Sequence, residues 1–179
     1  MRNATFAVCL TAGVISICRV GGTATESDPV PGKLKSAKHS LIEGIQQAQK
    51  ENGVAISAKF EVEDGKLLLS VYTAKAGVEK DAEHNVLMEL NCDAAKAKWE
   101  PKSEIFADKT HLARSAEQLT LLQLTPLSLE EATKKAIAMK KGTVYSVIPA
   151  VKDGKTVFEV AVATPDGKGA RLTIDQTSK

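Results

Sequence analysis

The sequence carries one ordered set of structural signals twice, in residues 39–93 and again in residues 128–179. Each set begins with a Ser-x-x-Glu capping box, continues to a glycine that ends a helix, and reaches an Asp-Gly turn and a strand that ends at an aspartate. The cap glycines and the turns of the two sets are 89 residues apart. Such repetition predicts two units with one fold. The defining residues are Ser40, Glu43, Gly53, Asp64, Gly65 and Asp93 in the first set, and Ser128, Glu131, Gly142, Asp153, Gly154 and Asp175 in the second.

Hydrophobic periodicity assigns the same elements to both sets. After each serine, apolar residues recur at helical spacing: Leu41, Ile45 and Ala48 in the first set, and Leu129, Ala132, Ala136 and Ile137 in the second. After each glycine the period changes to two, which is typical of strands with one buried face. The Asp-Gly pairs predict hairpins with type I′ turns, because that turn needs positive φ at both central residues.

These patterns predict an α+β protein with two repeats, each of one helix packed on a three-stranded antiparallel sheet, joined by a partly helical bridge. A unit of about 50 residues is marginally stable alone, so the units should pack together or share a sheet edge. The bridge is residues 94–127, which hold Trp99 and a helix around residues 109–122. Its apolar face carries Leu112, Ala116, Leu119 and Leu122. Residues 25–38 are expected to form a flexible N-terminal segment.

Residues 1–24 resemble a signal peptide. Arg2 precedes the apolar stretch Ala4–Cys18, which is shorter than the roughly 20 residues of a membrane-spanning helix. Small residues then place a cleavage site after Ala24. We therefore expect a periplasmic or secreted protein with no transmembrane segment in its mature chain. Lipid anchoring through Cys18 is an alternative, because the residues before it loosely resemble a lipobox.

The expected mature chain is formally neutral. The net charge of +2 comes from Arg2 and Arg19, so removal of residues 1–24 leaves 22 cations and 22 anions. A neutral chain with few aromatic residues lacks the basic field and stacking surface of nucleic-acid binders, and that class of partner is excluded.

The histidines and cysteines favour no metal site. His39, His84 and His111 have no metal-binding spacing, and a zinc site made from them with Cys92 would need four distant segments to converge. Cys92 shares the parity of the buried positions on its strand, so we expect it in the core. It is the one cysteine beyond residue 24, which leaves the mature chain without an internal disulfide.

The sequence also lacks a pattern typical of an enzyme. Glu61 and Glu63 alternate with apolar residues and are interpreted as facing solvent, and Glu131, beside Glu130, is used in a helix cap. No phosphate-binding glycine loop, G-x-S-x-G or C-x-x-C motif occurs. We predict a protein without catalytic activity and without a cofactor.

The second set resembles the PepSY family, a module found in propeptides of secreted thermolysin-like proteases and in small exported bacterial proteins. The likeness rests on the order and spacing of residues 128–137, Gly142, residues 153–160 and the strand that ends at Asp175. Residues 39–93 show a fainter likeness in the same order. PepSY modules are proposed to bind or restrain peptidases, so the resemblance implies two tandem copies of a non-enzymatic binding module.

Two functions follow, and neither fixes an oligomeric state. The first is restraint or inhibition of an exported peptidase or another envelope protein through the sheet surface, because an open sheet offers an edge and a polar face to an extended peptide. The alternative is a small-ligand or metal-ion sensing protein with its site between the two units.

Overall fold

The computed structural model describes residues 28–177. The expected cleavage site at Ala24 and the alternative lipid site at Cys18 lie outside the described residues. The helices are α1 (Val30–Lys33), α2 (Leu41–Asn52), α3 (Lys109–Gln123) and α4 (Leu129–Met139), with short 3₁₀ turns at Leu34–Ser36 and Ala82–His84. The strands are β1 (Val54–Glu63), β2 (Lys66–Ala74), β3 (Leu87–Asp93), β4 (Lys102–Ile105), β5 (Thr143–Lys152), β6 (Lys155–Ala163) and β7 (Gly169–Ile174).

All of these strands form one antiparallel sheet in the order β4-β3-β2-β1-β5-β6-β7. The α+β class is confirmed, but the expected pair of three-stranded sheets is corrected to one seven-stranded sheet. The halves share a sheet edge, since β1 pairs with β5. The register joins Ala58 to Val147 and Lys59 to Ser146, and it pairs backbone N–H and C=O groups that would otherwise be left open at the middle of both strands.

The central strand pair joins matching positions of the two halves. Ala58 lies opposite Val147, and these residues are 89 positions apart, as are Gly53 and Gly142. Both strands also change register at matching places, between residues 55 and 57 and between residues 144 and 146. Because the strands are antiparallel, an approximate twofold axis passes between Ala58 and Val147, normal to the sheet.

The helices cover both faces of the sheet. On one face α2 lies beside α4, where Gln46 Nε2 donates to Glu130 Oε1 at 3.0 Å. On the other face α3 packs over β1 and β5, and Ser57 Oγ donates to the buried Gln118 Oε1 at 2.7 Å. The core lies mainly between the sheet and α2 and α4, where burial of each large apolar side chain stabilises the fold by about 1.5–3 kcal/mol. Its fully buried members include Leu41, Ile45, Leu69, Val71, Leu90, Leu129, Val147, Phe158 and Val160.

Both helix starts carry the same hydrogen bonds. In α2, Glu43 N donates to Ser40 Oγ at 3.3 Å and Ser40 N donates to the Glu43 carboxylate at 2.7 Å. In α4, Glu131 N donates to Ser128 Oγ at 3.2 Å and Ser128 N donates to the Glu131 carboxylate at 2.8 Å. The bond from the serine backbone, followed by the serine hydroxyl, lowers the pKa of each glutamate.

Both glycines lead into a strand, but only Gly53 is also the C-terminal cap of its helix, with the expected positive φ. Gly53 follows α2 with φ 87° and ψ −149°, whereas α4 already ends at Met139 and Gly142 adopts φ 150°. A Cβ at Gly53 would lie 2.6 Å from Ala74 O, and one at Gly142 would collide with Ala163 O. The expected cap at Gly142 is therefore corrected: the chain passes so close to the end of the neighbouring strand that a side chain has no room.

Two positions expected on apolar stripes are exposed. Ile137 is 49% exposed and Leu112 is 38% exposed. In both helices the buried apolar stripe is narrower than the sequence predicts. Ile137 and Leu112 lie beside the line along which each helix contacts the sheet, so their side chains point past it.

The segment before α2 is part of the fold. Residues 30–36 form α1 and a 3₁₀ turn, with Val30 and Leu34 buried in the core. Tyr145 Oη donates to Asp28 Oδ2 at 2.7 Å and ties this segment to the second half. For the described residues this corrects the flexible segment expected over residues 25–38. Val30 and Leu34 are four positions apart, so both point to the core from one helical turn. Pro29 and Pro31 favour the start of that helix.

The bridge contributes a strand as well as a helix. α3 spans Lys109–Gln123, and β4 pairs with β3 although all four of its residues are exposed. A strand of four residues shows too little alternation to be recognised in a sequence.

Candidate functional site

The sheet face that α3 shares is only partly covered, and its open part forms a groove of about 820 Å³ on the first half. Strands β1 to β3 form the floor, residues 96–104 with most of β4 form the rim, and His111 in the first turn of α3 lines one end. We call this surface the charged groove. Its floor carries Lys59, Glu61, Glu63, Leu68, Tyr72, Glu89 and Asn91, and its rim carries Lys96, Lys98, Glu100, Lys102 and Glu104.

A chain of hydrogen bonds across three strands holds Glu61 in the floor. Ser70 Oγ donates to Glu61 Oε1 at 2.6 Å, Asn91 Nδ2 donates to Ser70 Oγ at 3.0 Å, and Lys59 Nζ lies 2.5 Å from Glu61 Oε2. Burial alone would raise the pKa of Glu61, but the bonds from Lys59 and Ser70 outweigh it and the net pKa is lowered. Glu63 is exposed, whereas the expectation that Glu61 faces solvent is corrected to a half-buried, ionised carboxylate.

The α3 end of the groove is acidic. Glu89 and Glu104 lie directly opposite each other on β3 and β4, and neither forms a salt bridge within residues 28–177. Like charges in opposite positions destabilise a sheet, and a bound cation would relieve this cost. Tyr72 lies opposite Glu89 on β2. Burial, and next the charges of Glu89 and Glu61, raise the pKa of Tyr72 to about 12.

Aromatic rings fix the closed end of the groove. The Tyr72 and Phe106 rings meet edge to face at 4.8 Å, and Phe106 stacks on His111 at 5.1 Å. His111 Nδ1 lies 2.6 Å from Asp108 Oδ2, and Asp108 caps α3. The first turn of α3 is therefore anchored to the sheet, which gives the groove a rigid end wall.

The rim is basic and is tied to α2. Lys96, Lys98 and Lys102 are exposed there, and Glu100 of the same rim pairs with Lys98 at 2.8 Å and with Lys96 at 4.0 Å. Trp99 Nε1 donates to Glu51 Oε1 at 2.7 Å, and its ring contacts His39 edge to face at 5.8 Å. The rim thus presents lysines from a segment whose position is set by an aromatic anchor.

The residues of the two predicted sets do not converge on one site. They occupy helix starts, strand entries, turns and strand ends, and of them Asp64 and Asp93 border the charged groove. Asp93 and Asp175 make the same local bond, because their Oδ1 atoms accept from Ala95 N at 3.0 Å and from Thr177 N at 2.9 Å. Their roles in the described structure are conformational.

The histidines lie apart. His84 and His111 pair with Asp81 and Asp108 at the starts of their helices, and His39 contacts Trp99. Across residues 28–177 no three His, Cys, Asp or Glu side chains are placed to hold a metal ion.

Cys92 lies in the core, and burial raises the pKa of its thiol to about 11. A thiol with that pKa is protonated at neutral pH, so it lacks the thiolate that acts as a nucleophile.

Sequence reasoning did not find the charged groove. Its floor comes from three strands, its rim includes the short β4, and its end wall comes from α3. One usable signal is that Glu61 and Glu63, Glu89 and Asn91, and Lys102 and Glu104 recur at spacing two, which marks a polar side on each strand.

The order α4, β5, β6, β7 reproduces the helix and strands expected of the second unit. Residues 126–179 match the PepSY family model. That family is described as Peptidase propeptide and YPEB domain. The PepSY match does not extend over residues 39–93. No curated protein and no solved structure matches the chain.

A propeptide module acts by contacting its peptidase, so the PepSY match is compatible with a protein-binding role without catalysis. In the part of the chain that the structure describes, no helix has the length and hydropathy to cross a membrane.

Proposed function

We propose that this protein is an exported, non-enzymatic binding module that restrains or inhibits an exported peptidase or another envelope protein. The observation that carries the proposal is the charged groove, an open concave surface on a rigid sheet. The PepSY match supports the choice of a peptidase as partner, and the signal-like residues 1–24 support export.

The charge arrangement of the groove suits a polypeptide segment. Glu89 and Glu104 form an acidic pair at one end, whereas Lys96, Lys98 and Lys102 line the rim. Lys96 and Lys98 already pair with Glu100, so a segment with a basic residue near the acidic pair and an acidic residue near Lys102 would complement both regions. A small ligand is a poorer fit, because small-molecule sites enclose most of the surface of their ligand and this groove is open.

The chemistry of the groove favours binding over catalysis. Glu61 is held ionised by its hydrogen bonds, and the raised pKa of Tyr72 keeps its phenol protonated. Neither group has the pKa near neutrality that a general acid or base needs.

We further propose that residues 39–93 are a second, more divergent PepSY unit, with residues 25–38 as the preceding segment and residues 94–127 as the bridge. The shared offset, the matching bulges in β1 and β5 and the approximate twofold axis support this division. We do not propose the alternative sensing site between the units. In the described structure the units meet through β1–β5 pairing and the Gln46–Glu130 contact, and the charged groove is lined by the first half and the bridge alone.

The test is capture from an envelope extract of the source organism with the mature chain, residues 25–179, as bait. The test variant is E89K/E104K, which reverses the acidic pair on the groove. The matched control is E79K/E83K, which makes the same charge change at exposed positions of the β2–β3 connection.

We expect the wild type and the control to recover the same protein and the groove variant to lose it. If the partner is a peptidase, added mature chain should lower its activity. Failure to recover a reproducible partner, or equal recovery by the groove variant, would overturn the proposal.

A further inference from the structure

The two outer edges of the sheet are occupied differently. β3 and β7 hold the same position in their halves, since Leu90 pairs with Val71 just as Leu172 pairs with Val160. β4 covers the outer side of β3, whereas β7 is the last strand of the described sheet. The second half therefore has no counterpart of β4 within residues 28–177.

We propose that β7 accepts an extended segment of another polypeptide as an added antiparallel strand, with an acidic residue of that segment opposite Arg171. The surface is separate from the charged groove, and this inference does not depend on the function proposed for the groove.

The pairing of β4 supplies the register for the added strand. β4 places Ile105, Glu104, Ser103 and Lys102 opposite residues 88–91. The positions of β7 that correspond to residues 88–91 are residues 170–173. Arg171 thus corresponds to Glu89, which on the first half lies opposite Glu104. On the first half, the carboxylate of Glu104 lies opposite Glu89. A carboxylate at the same position of the added strand would lie opposite Arg171.

Charge selects an acidic segment at this edge. Arg171 is exposed and forms no salt bridge with any residue from 28 to 177, and Gly169–Ile174 contains no acidic residue. A carboxylate directly opposite Arg171 would form a cross-strand ion pair. Pairing of two copies of β7 would bring their arginines close together instead, so we assign the edge to a different polypeptide.

Edge protection points to β7 instead of β4. The β4 edge is only four residues long, follows Pro101 and carries Lys102, features that discourage strand addition. β7 has six residues and contains no proline. A strand with these properties is a template for main-chain pairing.

The test measures binding of two synthetic peptides to the mature chain. One peptide places the β4 order Lys-Ser-Glu-Ile between strand-forming residues, and the other replaces its Glu with Lys. Protein variants are R171E, which changes the charge on β7, and E89K/E104K, which changes β3 and β4 and leaves β7 unaltered. Affinity comes from fluorescence anisotropy, and the bound site from amide hydrogen exchange.

We expect the Glu peptide to bind the wild type more tightly than the Lys peptide by up to about fivefold, which is the upper end of the range for a cross-strand pair. The preference should reverse with R171E and persist with E89K/E104K, and the bound peptide should increase amide protection in residues 169–174.

Three results would overturn the proposal. They are equal affinity for the two peptides, added protection on β4 instead of β7, and self-association of the wild type through β7 in place of peptide binding. Each leaves the groove test untouched, because the groove is probed by E89K/E104K in the capture experiment.

Discussion

On the side of the sheet that faces α2 and α4, the two halves have buried apolar residues at equivalent positions. On the other side, the residues at equivalent positions differ. Toward these helices, Leu69 corresponds to Phe158 and Val71 to Val160, and all four are buried. On the opposite side, the Glu61 position of the first half is Ala150 in the second. The shared side sets the fold, and the divergent side is where the halves acquired different surfaces.

The largest effect should come from the shared side. Leu69→Ala and Phe158→Ala each remove a fully buried side chain and should lower the free energy of unfolding by about 2–5 kcal/mol. Because β1–β5 pairing joins the halves in one sheet, both variants should still unfold in a single transition. Denaturant titration followed by circular dichroism checks this, and two separate transitions would contradict the continuous sheet.

The glycines before β1 and β5 give the next largest effect. Gly53→Ala and Gly142→Ala should each cost about 1–3 kcal/mol, because φ is positive and a Cβ meets a backbone carbonyl at both sites. Gly32→Ala is the control, since its Cβ would meet no atom within 4 Å beyond its chain neighbours and its own helix backbone. Thermal melting compares the three variants, and a neutral result at only one strand entry would show that the halves differ there.

The helix caps test the equivalence of the halves more finely. Ser40→Ala and Ser128→Ala should each destabilise by about 1 kcal/mol, because each removes the acceptor of one helical N–H group. Ser→Asp at the same position should lose less of the free energy of unfolding than Ser→Ala, because the aspartate side chain can accept the same hydrogen bond. Unequal losses, measured by urea denaturation, would show that one half is stabilised differently from the other.

The smallest effect on stability should come from Glu61, on the side of the sheet where the two halves differ. Glu61 has a lowered pKa, so the stability it contributes is present above its unfolded value of about 4.5 and is lost as the pH falls through the lower folded value. Glu61→Gln should therefore cost up to about 1 kcal/mol at neutral pH, given its partial exposure, and almost nothing in strong acid. Urea denaturation at a series of pH values measures the difference.

Glu63→Gln is the matched control for Glu61→Gln. Glu63 lies on the same side of β1 and is exposed. Its substitution should leave stability unchanged across the same pH range. A pH-independent loss in Glu61→Gln would mean that its carboxylate contributes through packing and not through its charge.

Local signals in the sequence predicted local structure well. The serine and glutamate of each capping box are three residues apart, and the Asp64-Gly65 turn adopts φ 48° and 76° because those two residue types tolerate that geometry. Such features depend on neighbours in the chain, which a sequence displays directly.

Features that depend on distant residues could not be predicted in the same way. The pairing of Ala58 with Val147 joins segments far apart in sequence, and strand alternation alone does not choose a partner. The solvent-facing position predicted for Glu61 holds only in part, because its own strand pattern carries no information on Ser70 of the next strand, whose hydroxyl bonds to its half-buried carboxylate. The groove escapes prediction for the same reason, as β4 and α3 complete it.

The twofold relation at Ala58 and Val147 has a consequence for a shortened chain. A polypeptide that stopped after β3 would keep its helix and three strands but leave β1 with an open side. Two such polypeptides would complete one another through the same antiparallel seam, since each offers the surface that the other needs. The present chain thus holds, in covalent form, the arrangement of a symmetric homodimer.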